Sequence, residues 1–325
     1  MPTLRKACVN CTSSKRKCVV QKPKCSRCSQ KNLDCVYDLE PLNAPATEFD
    51  KVRAFGFKLS NYHALGRCII KRLKSGTAGI DPAICYPGSQ NVTEITRLGF
   101  DTVPELVSAR RPASFVHPGL QVPDINNHVT ALMERGARGV NSESFKCLMQ
   151  VDIKLVSPQE ALTAVQALLV HLAASSFSSA PAEQEEAELC LNILSEWTQH
   201  LFACFDAGMP KCQSPWQDWL LGESVRRTVF MAYTLNLSVT GYKYGYCPNW
   251  LFMESLPFDH RPGLWMAESP QAWIASAHAR CGEEVGEQLK SYHEFAEACH
   301  GQTPDFGGDP FLTLLAFAHN GLGGN

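Results

Sequence analysis

Six cysteines in the first 35 residues offer the clearest chemistry in the chain. Cys8, Cys11, Cys18, Cys25, Cys28 and Cys35 follow the spacing C-x2-C-x6-C-x6-C-x2-C-x6-C, so the second half repeats the first. A C-x2-C pair sets two thiolates on one side of a tight turn, within reach of a single tetrahedral zinc. A third cysteine, about two helical turns further on, brings each half to three ligands. Zinc takes four, so two zincs need about eight bonds where six sulfurs supply six. The deficit closes if two thiolates bridge both metals, and the repeat reads as a single binuclear cluster. Residues 1–40 hold no His, which excludes Cys2His2 and mixed Cys/His sites within this segment. A redox C-x-x-C calls for one pair in a βαβ context, whereas here two pairs sit among lysines. An iron–sulfur cluster could use the same thiolates, but the Lys-rich surround and symmetric spacing favour zinc.

The charge around these cysteines points to a polyanion. Residues 1–40 carry nine basic side chains (Arg5, Lys6, Lys15, Arg16, Lys17, Lys22, Lys24, Arg27 and Lys31) against Asp34, Asp38 and Glu40. Two Zn²⁺ bound by six thiolates leave such a segment near +4, ample for a phosphate footprint. The net charge of −2 hides this. Residues 1–80 have 16 Lys/Arg against 5 Asp/Glu, and residues 81–325 have 14 against 27, so a basic arm precedes an acidic body. Short helices are expected to start near Cys11 and Cys28, the first carrying Lys15–Lys17 toward a major groove. Lysine donates to guanine O6 and N7, which suits a G·C-rich target.

The cysteine pattern resembles that of the fungal Zn2Cys6 binuclear-cluster transcription factors. All six ligands match, as do the basic run Thr12-Ser13-Ser14-Lys15-Arg16-Lys17 and the loop proline Pro23. The resemblance implies two Zn²⁺ per chain, with Cys8 and Cys25 bridging. It also implies a nuclear protein that binds double-stranded DNA and works with transcription machinery or coregulators. Its target would be a CGG-like half-site, with Lys15 as first base-reading candidate, Lys17 as second, and Arg16, Lys6 and Arg27 on phosphates. Thr12 departs from the pattern, since a basic residue is common there. The competing reading is a zinc-stapled interaction module whose basic arm binds RNA or an acidic partner. Against it, Tyr37 is the only aromatic residue before Phe49, too few for stacking single strands.

The rest of the chain must position this module and regulate it. The expected division is a Zn2Cys6 domain at 1–40, two short helices around two zincs; a Pro/Gly-rich linker at 41–125; and an all-α regulatory domain at 126–325. Pro41 and Pro45 interrupt any helix directly after the cluster. No heptad persists through 36–80, although 61–75 could form a short basic helix, so a monomer or weak homodimer is expected. Residues 76–125 are broken by Gly and Pro and read as linker with short ordered pieces. Helices are predicted over 158–175 (capped by Ser157 and Glu160, with Pro158 first), from about 181, over 216–240, over 270–281 and over 283–299. The tryptophans read as core anchors, Glu223 and Arg227 as an i, i+4 ion pair, and the acids Glu183–Glu188 as partners of a helix dipole.

This half resembles the regulatory region of some Zn2Cys6 factors of fungal secondary-metabolite clusters. The resembling pieces are Phe115-Val116-His117-Pro118, Gln166-Ala167-Leu168-Leu169, Trp216-x-x-Trp219, Glu223-Ser224-x-Arg226-Arg227-Thr228, Leu256-Pro257-Phe258, Leu264-Trp265 and Trp273. No H-E-x-x-H, G-x-S-x-G, P-loop or G-x-G-x-x-G motif is present, so no catalysis is expected. The nine remaining cysteines are scattered and odd in number, unlike a disulfide framework. No apolar run is long enough to span a membrane, and the N-terminal MPTLRKACVNC lacks an apolar leader, so neither membrane insertion nor secretion is expected.

Overall fold

The computed structural model describes residues 7–19, 24–33, 35, 94–121, 143–208, 214–244, 249–281, 289–299 and 305–320. The chain divides into two units, Met1–Val52 and Arg53–Asn325. The first contains α1 (Val9–Ser13) and α2 (Ser26–Gln30). Among its described residues, the second holds a single-turn π-helix (Arg97–Asp101), followed by α3 (Val103–Ser108), α4 (Glu143–Met149), α5 (Pro158–Ser176), α6 (Pro181–Gly208) and α7 (Pro215–Tyr244). It ends with α8 (Trp250–Ser255), β1 (Pro257–Asp259), α9 (Pro270–Cys281), β2 (Leu289–Ser291), α10 (Tyr292–Cys299) and α11 (Pro310–Asn320). Among the described residues no helix is long and apolar enough to cross a membrane. The expected basic helix at 61–75 lies outside the described residues.

Three long helices form the centre of the second unit. Ser157 starts α5 with a capping box: its hydroxyl accepts from the Glu160 N–H at 3.3 Å, and its own N–H donates to Glu160 Oε2 at 2.7 Å. Two donors that the helix cannot satisfy internally are thereby paired. α5 packs along α6, and both pack on α7. α7 is about 45 Å long and is buried on every side, from Trp216 to Gly241. A helix surrounded in this way needs no amphipathic stripe, and the aromatic residues around it fill the core. Phe230 meets Tyr292 at 5.3 Å and Phe311 at 5.4 Å, edge to face, and Phe258 meets Phe295 and Phe311 in the same manner at 5.3 and 5.2 Å.

The structure departs from the sequence expectation in two places. Residues 94–121, read as linker, are built into the core: Ile95, Phe100, Val103, Ala113 and Phe115 are buried in the same cluster as the long helices. Gly and Pro punctuate backbone direction there without excluding burial. Gly119 is required by a close approach, since a Cβ would stand 2.8 Å from the Trp216 ring and 3.0 Å from His117. Second, among the described residues the body holds, besides its helices, an antiparallel ladder, Pro257↔Ser291, Phe258↔Lys290 and Asp259↔Leu289. Within the predicted helix over 283–299, residues 289–291 form β2 and the helix α10 starts only at Tyr292, while residues 283–288 lie outside the described residues.

Glu223 and Arg227 form the expected i, i+4 ion pair. Both are buried, and they anchor a network of charges. Glu223 accepts from Arg226 Nε at 2.8 Å, from Arg227 Nε at 2.9 Å and from the Asp259 N–H at 3.2 Å. The Arg227 guanidinium also grips Asp309 through two bonds of 2.9 and 2.7 Å. It is flanked by the Trp265 ring at 4.2 Å and the Phe311 ring at 4.6 Å. The tryptophans are core anchors, as expected: Trp265 Nε1 donates to the Ala113 carbonyl at 2.7 Å and Trp219 Nε1 to Asp259 at 3.2 Å. The motifs at 115–118 and 166–169 meet here too, because Gln166 Nε2 donates to the Phe115 carbonyl at 2.7 Å and to Thr228 Oγ1 at 3.1 Å.

Candidate metal centre and nucleic-acid interface

Each half of the cysteine repeat folds into the same unit, offset by 17 residues. Cys8 and Cys25 are N-caps, with extended backbones at φ −65°, ψ 156° and φ −59°, ψ 154°. Their sulfurs occupy the place usually taken by a hydroxyl or carboxylate oxygen. The Cys8 sulfur accepts from the Cys11 N–H at 3.4 Å, and the Cys25 sulfur from the Cys28 N–H at 3.3 Å. The helices thus begin at Val9 and Ser26, two residues before the positions expected from the sequence. The second cysteine of each C-x2-C pair lies one turn in, on the face of the first.

Both helices stop after five residues, in the same way. The N–H of Arg16 returns to the Cys11 carbonyl and that of Lys15 to Thr12; the N–H of Leu33 returns to Cys28 and that of Asn32 to Ser29. These are Schellman caps, which need a left-handed residue past the helix end. Lys15 (φ 51°) and Asn32 (φ 48°) fill that role. The chain then doubles back, so the third cysteine of each half arrives from outside the helix. The Cys8 N–H donates to Cys18 Sγ at 3.5 Å and the Cys25 N–H to Cys35 Sγ at 3.2 Å. A reversed chain, not a continued helix over two turns, brings Cys18 and Cys35 to the cluster.

The six sulfurs form two overlapping groups of four. Cys8, Cys11, Cys18 and Cys25 make one group, and Cys8, Cys25, Cys28 and Cys35 the other; within each, all sulfurs lie within 4.8 Å of one another. Cys8 and Cys25 belong to both. The Cys8 sulfur lies 3.8 Å from those of Cys25 and Cys28, and the Cys11 sulfur 3.7 Å from that of Cys25. Zn–S bonds of about 2.3 Å at the tetrahedral angle separate two sulfurs by about 3.8 Å, so the spacing fits the metal. Cys8, Cys11, Cys25 and Cys28 are fully buried and Cys18 and Cys35 half-buried. Burial pushes the thiols of Cys8 and Cys18 up and carries that of Cys28 to about 12. At Cys25 burial is outweighed by the Cys28 N–H and the neighbouring thiols, which bring it down to about 6. Sulfurs packed this closely cannot all ionise unaided, and a cation that deprotonates them outright resolves the conflict.

Of the residues read as DNA contacts, Lys15, Arg16 and Lys17 are exposed. They occupy the turn leaving α1, not the helix, which ends at Ser13. Lys6 lies outside the described residues. Arg27 is half-buried on α2, and its Nη1 donates to Cys11 Sγ at 3.7 Å. The sulfur caps were readable in principle, because an N-cap side chain accepts from the N–H three residues on, which is the spacing of C-x2-C. The Arg27 contact has no such local signal, since it joins residues of different helices.

Residues 6–43 match the fungal Zn(2)-Cys(6) binuclear cluster domain family. No curated protein and no solved structure matches the chain. Domains of this family bind two zinc ions, and the two sulfur groups described above suit that load. At residues 6–43, therefore, the chain carries the two-zinc DNA-binding module of the fungal zinc-cluster transcription factors.

Proposed function

We propose that this chain is a sequence-specific DNA-binding regulator of RNA polymerase II genes. Two Zn²⁺ are held by Cys8, Cys11, Cys18, Cys25, Cys28 and Cys35, with Cys8 and Cys25 bridging. The basic segment after Cys11 reads a CGG-like half-site: Lys15 and Lys17 reach base edges, and Arg16 and Lys6 neutralise phosphates. Arg27 is left out of the DNA-facing set because its guanidinium sits against the Cys11 sulfur. The observation that carries the reading is the pair of four-sulfur groups sharing Cys8 and Cys25 beside three consecutive exposed cations. The helical body is a non-enzymatic regulatory domain that begins by residue 94, and the protein acts in the nucleus with transcription machinery or coregulators. It binds as a monomer or weak homodimer and controls a secondary-metabolite gene cluster.

Selection of duplex DNA from a random pool with the zinc-loaded full chain tests this. Enrichment of a G·C-rich triplet is expected, single or repeated at a fixed spacing. A pool without a motif, or tighter binding to single-stranded RNA than to duplex DNA, would overturn the reading in favour of a basic interaction arm.

A further inference from the structure

The two halves of the cluster share their backbone plan but differ in charge at several equivalent positions, and at one of these the structure places a contact with a cluster sulfur. Offsetting Arg27 by the 17-residue repeat leads to Asn10. Both stand between the two cysteines of a C-x2-C pair, early in a five-residue helix. Asn10 is uncharged. Arg27 is a permanent cation, and its Nη1 crosses from α2 to the Cys11 sulfur at 3.7 Å. Cys11 belongs only to the sulfur group of Cys8, Cys11, Cys18 and Cys25. The guanidinium of the second half thus rests on a terminal sulfur of the first half's group, and the symmetric position supplies no cation in return. Lys15, Arg16, Lys17 and Lys31 are exposed, whereas Arg27, like Lys24, is half-buried, and it is Arg27 that reaches a cluster sulfur.

We infer that Arg27 is a positioning residue for the metal centre, and that it makes the two zinc sites inequivalent. This rests on the two-zinc reading above. Two Zn²⁺ and six thiolates leave the cluster with a net charge of −2. A guanidinium on Cys11 offsets half of that charge on one side. It also occupies a sulfur lone pair that a proton, a chelator-assisted ligand exchange or an electrophile would otherwise use. Hydrogen bonds to charged acceptors are among the stronger ones, and loss of a partner outside the ligand shell lowers metal affinity by about ten- to a hundredfold. The zinc of the Cys8, Cys11, Cys18 and Cys25 group is therefore the slower to leave.

The test is zinc release from the full chain into excess colorimetric chelator, with zinc content measured first. About two zincs per chain must be present; absence of bound zinc would sink the cluster reading itself, not this inference alone. Release in two phases is expected. Arg27→Ala should accelerate the slow phase about tenfold or more and leave the fast phase in place, with Arg27→Lys between the two. Mass mapping of alkylated cysteines during the wild-type reaction should find Cys28 and Cys35 modified before Cys11 and Cys18. A third readout separates this role from DNA contact: zinc-loaded Arg27→Ala should keep the wild-type salt dependence of duplex binding. A single release phase in the wild type, equal acceleration of both phases, or a reduced salt slope with unchanged release would each overturn the inference.

Discussion

The buried grip of Arg227 on Asp309 gives a prediction whose size follows from the structure. Both side chains are essentially inaccessible. Asp309 has two tasks: it pairs with the guanidinium through both oxygens, and its Oδ1 caps α11 by accepting from the Phe311 N–H at 3.0 Å. Arg227→Met strips Asp309 of its counter-charge, and breaking a buried pair from one side costs about 3–5 kcal/mol. Asp309→Ala adds the loss of the cap, about 1 kcal/mol more. Asp309→Asn keeps a capping oxygen and should fall below Asp309→Ala by about that amount. The double variant Arg227→Met/Asp309→Ala removes both charges, leaves Glu223 paired with Arg226, and should lose much less than the single effects added together. A domain is stable by about 5–15 kcal/mol in total, so each single variant forfeits a large share. Urea unfolding followed by tryptophan fluorescence is suited to the measurement, because Trp265 stacks on Arg227. Strict additivity of the two single changes, or losses under about 1 kcal/mol, would refute the claim that these charges depend on each other.

Other perturbations have defined outcomes. Chelation should remove about two zincs per chain, unfold the cysteine module and abolish duplex binding, because metal binding and folding are coupled; a metal-free protein that still binds its site contradicts the centre. Lys15→Gly suits the left-handed backbone at φ 51°, so its loss of base preference in a selection is assignable to the ammonium, whereas Arg16→Ala should chiefly lower the salt slope. His117 is neutral in the fold. Burial, aided by the nearby Arg227 charge, brings it down to about 4, and its Nδ1 accepts from the Gly119 N–H at 3.0 Å. The unfolded chain binds this proton more readily, so stability is unaffected above about pH 6.5, falls below it, and has lost roughly 3 kcal/mol once pH passes below 4; His117→Asn should flatten that part of a pH–stability curve. A fragment starting at residue 126 should fail to unfold cooperatively in urea, whereas one starting at 94 should retain a sharp transition.

Local chemistry was legible in the sequence. Cysteine spacing states its own ligand count, and Ser157-Pro158-Gln159-Glu160 states its own cap. Large aromatic residues such as Trp265 and Trp219 declare burial by their size. What escaped was set by distant partners. The pairing of Glu223 with Arg227 was legible from its i, i+4 spacing, but its burial was not, because the third member, Asp309, lies 82 residues from Arg227. Residues 94–121 read as linker because Gly and Pro report turns, while Phe115 is held by Gln166 from 51 residues away. The ladder of β1 and β2 is only three residues long, too short for alternation to register. The end of α1 at Ser13 escaped for a different reason: the left-handed position is taken by Lys15, a residue that rarely advertises such a turn.

The bond from Trp265 to the Ala113 carbonyl spans 152 residues. On a ribosome adding about 5–20 residues per second, that interval lasts roughly 8–30 s. Within it, Phe115 and the buried faces of α5 and α6 are made before the indole, and before Asp309 and helix α11, which come later still. The nascent body holds apolar surface ahead of the elements that cover it, and its last helices act as the latch.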